Sequence, residues 1–298
     1  MDRTKFFVDE LALAGEIVKK TPSIDHLGKI VETAEIVLTA ASVCRIYFIE
    51  DFYSLTINGD SVAQIMFGDL GRGEFRDVFL RIQILLDQSE TCTDAHGAPT
   101  SGFRALATNG NGGWISLNSP SGNPGWKPEL MQWISNPESF TSALRQLYIC
   151  CGRAITSLDR YAQFLFPQIY FYAKASDVGK TKLSYTTMLP TYFEHLAYLN
   201  DYAIDNFKAK TQPHEIIASA GAVGVEISPE SPSTHKNNDA MKERNITIDN
   251  ATICCEWHTK LTKTQGRIHF FARKHPDENV FKVVGEKVIV GIITDHLS

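Results

Sequence analysis

From Ile246 to Leu297 the sequence reads ITIDNATICCEWHTKLTKTQGRIHFFARKHPDENVFKVVGEKVIVGIITDHL and carries Glu256, His258, Lys260, Arg267, His269, Arg273, His275 and His296. Four of the chain's nine histidines fall here. Side chains alternate between the two faces of a strand. Within ATICCEWHTKL this sends Cys254, Glu256, His258 and Lys260 one way and Ile253, Cys255, Trp257, Thr259 and Leu261 the other. Residues 262–266 supply a turn, and RIHFFAR then brings Arg267, His269 and Phe271 to one face. If the two runs pair as an antiparallel hairpin, Glu256, His258, Lys260, Arg267 and His269 share one surface.

Such a surface has the parts of a metal-independent ribonuclease. Glu256, His258 and His269 would be the catalytic proton-transfer groups, one taking the 2′-hydroxyl proton and another protonating the leaving oxygen. Lys260 and Arg267 would bind the substrate phosphate and stabilise its developing charge. Metal chemistry finds less support. No H-x3-H or H-E-x-x-H helix is present, and His258, His269 and His296 would have to converge from three elements, so neither a metal nor another cofactor is expected. An E-x-K nuclease pattern fails because Glu256 and Lys260 stand four apart. The same face also reads as an ordinary surface, paired by Glu–Lys and His–Glu contacts and meeting water or the first domain.

The elements that must position these residues are mixed. Residues 6–20 and 24–41 have helical spacing, with Pro22 between them and Ser23 as a cap. Val43 to Ile57 is β-rich, with Asn58-Gly59 as a turn signal. Helical periods return over 61–67 and 75–86. A glycine-rich loop with Trp114, Trp126 and Trp133 follows, interrupted by the short strand WISLNS and ending in a short helix begun by Lys127-Pro128-Glu129. Its tryptophans read either as a stacking surface or as anchors of an irregular loop, the second being the commoner use. A long helix is predicted over 137–164, a strand at FPQIYFYAKA and a further helix over 186–208. HEIIASAGAVGVEI suits either helix or buried strand, and VIVGII closes the chain as a buried strand in which Gly291 marks a bulge or a close backbone approach.

The expected fold class is therefore α+β. An α-rich domain over 1–227, with a short sheet and the Gly/Trp loop, precedes a small antiparallel β-rich module over 246–298. Ser228 to Asn245 (SPESPSTHKNNDAMKERN) reads as the linker, since its prolines and charges present no packing face.

Composition narrows the function classes. The formal net charge of −5 argues against coating nucleic acid by overall charge, while leaving room for a local basic groove. No apolar run approaches about 18 residues, and the charged N-terminal segment lacks the core of a secretory signal, so a cytoplasmic protein without membrane contact is expected. The adjacent cysteines 150–151 and 254–255 give no C-x2-C spacing, which removes a zinc ribbon or disulfide framework. Gly179-Lys180-Thr181 lacks the earlier glycine of a phosphate-binding loop, because Lys174 stands there.

The succession ISPESPST, EWHTKL, GRIHFF and KVIVGIITDHL resembles the ending of a widespread set of bacterial proteins linked to antiphage defence and related genetic conflict. The closing module is also similar, in size and residue type, to the small RNA-cleaving toxins of the RelE-like class, an analogy of kind. The resemblance implies a component of a defence or toxin-like system, acting with another protein of the same operon. As an effector it would act on nucleic acid, RNA before DNA, through the closing module. The alternative is a non-catalytic adaptor or sensor that binds a partner protein.

Overall fold

In the computed structural model, which describes residues 3–273 and 277–297, the chain forms two compact units, Met1–Cys151 and Gly152–Ser298. His275 lies outside the described residues. The mixture of helix and strand agrees with the expected class, but its distribution differs. The division falls at Cys151/Gly152 rather than in 228–245, and the first unit is organised by a parallel sheet.

That sheet explains the main departure from the helical periods. Phe6, Phe7 and Val8 are all buried, so strand β1 (Thr4–Val8) has apolar side chains on both faces and no period-2 signature. Its apolar residues merge with those of helix α1 (Glu10–Ile17) into an apparent single helix from residue 6. Asp9 separates the two, its side chain accepting from the Ala12 N–H. Helix α2 (Ile24–Thr39), capped by Ser23, leads to β2 (Cys44–Phe48). A two-stranded hairpin, β3 (Thr56–Ile57) and β4 (Asp60–Ser61), turns at Asn58-Gly59 with φ of 53° and 94°. Helices α3 (Val62–Phe67), α4 (Asp69–Arg72) and α5 (Arg76–Asp87) and the short β5 (Glu90–Thr91) follow. Helix α6 (Gly102–Asn109), β6 (Gly112–Ile115), β7 (Met131–Ile134) and α7 (Ser139–Cys150) complete the unit.

The strand order is β5-β2-β1-β6-β7, with every pairing parallel. The short helix expected after Pro128 is instead the edge strand β7. Trp114 is buried beside Phe7, Ala105, Leu106 and Met131, with Trp126 packed against them, and Trp133 Nε1 donates to the Ser116 carbonyl at 2.7 Å. The tryptophans anchor the loop. Glu10 lies at the carboxyl edge of this sheet, 1% exposed, with Oε1 accepting from Gly102 N–H at 2.8 Å.

In the second unit the predicted long helix is broken after α7 by Gly152 at φ 56°, and resumes as α8 (Leu158–Leu165). Strand β8 (Ile169–Phe171) precedes α9 (Tyr185–Asp201), α10 (Ala203–Ala209) and α11 (Pro213–Gly221), so the ambiguous HEIIASAGAVGVEI is helix up to Gly221 and enters a strand at Ile227. Residues 228–245 form structure inside this unit. Strand β9 (Ile227–Pro229) is followed by α12 (Pro232–Lys236), α13 (Asn238–Lys242) and β10 (Asn245–Ile248). Strand β11 (Ala251–Cys254) pairs with β10, while β12 (Trp257–Lys260) pairs with β13 (Arg267–Phe271), so ATICCEWHTKL is two strands that part at Cys255-Glu256. Helix α14 (Glu278–Val284) and β14 (Val288–Thr294) close the unit.

The five-stranded sheet runs β8-β14-β13-β12-β9, antiparallel except for β8 beside β14. Phe207 of α10 meets Trp257 and Phe270 edge-on, which turns His258 and His269 to the opposite face. A second apolar cluster joins Ile246, Ile253, Cys255, Val280 and Ile289. Gly291 is both a close approach, since a Cβ there would overlap the Cys255 thiol, and the extra residue of a bulge, lying between Val290 opposite Phe270 and Ile292 opposite His269. No helix of the described residues is long and apolar enough to cross a membrane.

Two outcomes follow. Burial, with the Asp9 charge adding to it and hydrogen bonds from backbone N–H groups opposing, raises the Glu10 carboxyl to about 7. Between the ordinary 4.5 and about 7 the folded form keeps a proton that the unfolded chain releases. Stability therefore falls as pH rises through that window, by about 3 kcal/mol in all. Glu10→Gln should flatten this slope in urea unfolding at pH 5 and pH 8, and an unaltered slope would refute the assignment. Gly291→Ala should lower the second unit's unfolding free energy by about 1–3 kcal/mol through overpacking against Cys255.

Candidate functional site

The hairpin brings together most of the residues that its alternation implied. His258 and His269 are direct cross-strand partners, and so are Lys260 and Arg267. The two imidazole centroids lie 5.1 Å apart with planes tilted by 43°. Strand β9 lies on the other side of β12, with Ser228 opposite His258 and its Oγ 3.1 Å from His258 Nε2.

The carboxylate beside these rings is Glu230, not Glu256. Glu230 Oε1 lies 3.5 Å from His258 Nδ1 and 3.7 Å from His269 Nδ1. The Glu230 N–H donates to the Glu256 carbonyl, fixing the segment beyond β9 against the start of β12. The Glu256 carboxylate is half exposed, with His235 Nε2 3.9 Å from its Oε2. Strand β12 begins only at Trp257, so the alternation that placed Glu256 with His258 stops one residue short.

Arg244 completes the group. Its Nε is 2.9 Å from Glu230 Oε1 and its Nη1 donates to the Ala240 carbonyl at the end of α13. Asn237 caps α13, accepting from Asp239 and Ala240 N–H, and the Arg244 carbonyl accepts from Cys255 N–H. Glu230 and Arg244 are both nearly inaccessible, at 9% and 3%. Burial alone would raise the Glu230 carboxyl, but His258 and Arg244 beside it hold it down at about 2. Burial pushes His269 down to about 3, reinforced by His258 and Arg244 and opposed by Glu230. His269 is thus a neutral ring at physiological pH. The exposed cleft above these groups, about 340 Å³, is lined by Glu230, Arg244, His258, Arg267, His269 and the exposed His296.

The two proposed phosphate-binding cations are drawn into local structure. Arg267 is 7% exposed, and its Nη1 donates to the carbonyls of Thr262, Gln265 and Gly266 at 3.0–3.2 Å, while Nη2 reaches the Lys263 carbonyl. It clamps its own turn while still forming part of the cleft wall. Lys260 Nζ donates to Glu226 Oε1 at 2.5 Å and does not line the cleft. Sequence reasoning missed Glu230, Arg244 and Ser228 because all three fall in the stretch read as a linker. A glutamate held between Pro229 and Pro232 was the available signal.

No protein-family model matches this chain, and neither does any curated protein or solved structure.

Arg244→Met would strand a buried carboxylate, and is expected to destabilise the second unit by about 3–5 kcal/mol. Pairing it with Glu230→Leu should recover most of that loss in denaturant titrations. A double variant as unstable as the single one would show that the ion pair is not its source.

Proposed function

We propose that the chain is an effector of a bacterial antiphage or toxin-like system, and that its second unit cleaves RNA at the cleft walled by Glu230, His258 and His269. The observation that carries this reading is the line Ser228 Oγ, His258 Nε2, His258 Nδ1, Glu230 Oε1, with separations of 3.1 and 3.5 Å at its two ends. It is the alignment of a hydroxyl, a base and a carboxylate that orients the base. With its proton on Nδ1 facing Glu230, the His258 ring offers an Nε2 lone pair to a hydroxyl. A substrate 2′-hydroxyl entering the cleft takes the position on Nε2 that Ser228 holds.

The chemistry then balances without an outside reagent. The 2′-oxygen attacks phosphorus as its proton passes to His258 Nε2. The bond from phosphorus to the 5′-oxygen breaks, and that oxygen takes a proton from His296 at the mouth of the cleft. The products are a 2′,3′-cyclic phosphate and a 5′-hydroxyl. His269, enclosed and neutral, serves as a wall and not as the acid. The arginine side chains of the wall supply the positive field for the phosphate.

A fluorescent single-stranded RNA incubated with the full chain, alone and with the products of neighbouring genes, tests this. Cyclic phosphate ends should appear, and His258→Ala and His296→Ala should each slow their formation by about 10²–10⁴-fold. Glu256→Gln should cleave at the wild-type rate. RNA left intact under all these conditions would discard catalysis in favour of the adaptor reading.

A further inference from the structure

The relay just described accounts for Ser228, His258 and Glu230 but leaves His269 unexplained. His269 is 2% exposed, and neither of its ring nitrogens makes a hydrogen bond of standard geometry among the described residues. His258 Nδ1 is likewise buried without a hydrogen bond of standard geometry among the described residues, 3.5 Å from a Glu230 Oε1 that Arg244 Nε approaches to 2.9 Å. An orphaned buried polar atom costs about 1–3 kcal/mol, so several at one point call for a common partner.

The spacing identifies that partner. Glu230 Oε1 stands 3.5 and 3.7 Å from the two Nδ1 atoms, and one ligand atom from each of the three residues falls within 4.8 Å of the others. Bonds of roughly 2.0–2.2 Å in a tetrahedron set ligand atoms roughly 3.4 Å apart, so two edges of the triangle already fit within a few tenths of an ångström. The donors are two imidazoles and one carboxylate, a set suited to Zn²⁺ and its transition-metal neighbours and unsuited to the all-oxygen shells of Mg²⁺ or Ca²⁺. The outer contacts are also in place. Ser228 holds the far nitrogen of His258, and Arg244 takes a second lone pair of Glu230.

We infer that Glu230, His258 and His269 form a binding site for one Zn²⁺-class ion, with the fourth position open to the cleft, and that occupancy switches off the proton transfer assigned to His258. A metal on Nδ1 requires the ring proton on Nε2, and that nitrogen then donates to Ser228 and cannot accept from a substrate hydroxyl. The metal and the reaction compete for one imidazole. The binding half stands without the ribonuclease reading, and the regulatory half rests on it.

The test uses the full chain stripped with a chelator and then titrated with Co²⁺ and Zn²⁺. One equivalent of Co²⁺ should give the intensified visible bands of a four-coordinate ion, and one equivalent of Zn²⁺ should displace it. Ser228→Ala should weaken Zn²⁺ binding by about 10–100-fold. Glu230→Gln and His269→Gln should abolish stoichiometric uptake, with circular dichroism confirming that each is folded. Absence of the Co²⁺ bands in the folded wild-type protein would overturn the site, as would uptake unchanged in both variants. If Zn²⁺ binds and suppresses RNA cleavage, both halves hold. If it binds and cleavage continues, the switch is lost. Binding by a protein that never cuts RNA retains the metal site and removes the ribonuclease.

Discussion

A carboxylate almost withdrawn from bulk water sets the terms for the second unit. Glu230 is buried and ionised, and an isolated charge in that position would cost several kcal/mol. Arg244 must therefore be brought to it, and α12 and α13 are the connection that does so. The chain is fastened at both ends of this excursion, by Glu230 N–H to the Glu256 carbonyl and by Cys255 N–H to the Arg244 carbonyl. These two bonds lock the excursion to the break between β11 and β12. The polar, proline-rich segment that looked like a joint is held by its own ion pair.

The same physics separates what the sequence makes legible from what it hides. Strand β12 alternates between buried and half-buried positions, and such a period of 2 is how EWHTKL and RIHFF yielded a hairpin with His258 and His269 on one face, whereas the register that makes the two rings direct partners is seen only in the structure. The turn at Asn58-Gly59 was equally plain, because left-handed backbone there demands those residue types. Strand β1 gave no such signal, since a strand buried on both faces is a run of apolar residues like any short piece of helix. The order β5-β2-β1-β6-β7 was beyond local reading altogether, because it is written in contacts between residues distant along the chain. Glu230 escaped for a related reason. Its partners lie on β12, on β13 and after α13, and nothing within a few residues of it marks it as buried.

Charge type alone does not tell what Lys260 and Arg267 engage. Both were expected to meet phosphate, and each is held by groups of its own unit. A guanidinium has five donors in a fixed fork, so four carbonyls of a tight turn suit it as well as a phosphate does. Arg267 shows which use prevails when the turn is adjacent and the side chain is enclosed. Lys260 answers the exposed Glu226 across the strand pair, an interaction worth little to stability but enough to orient an ammonium away from the cleft.

Two histidines placed side by side are often read as an acid and a base. Here their unequal burial divides them. His269 sits on the central strand β13 beneath the Arg244–Glu230 pair, where a second positive charge would have neither water nor an unshared carboxylate to stabilise it. His258 sits one strand nearer the sheet edge, with Ser228 on one nitrogen and Glu230 facing the other, so its proton has a defined place on either side. In the proposed reaction the proton traffic therefore falls to His258. Only a ligand that uses lone pairs, not protons, gives His269 a role equal to its position. A single buried carboxylate facing both rings makes the two uses of the site exclusive, because the side of His258 that would bind the ion is the side that must carry the proton when the ring acts as a base.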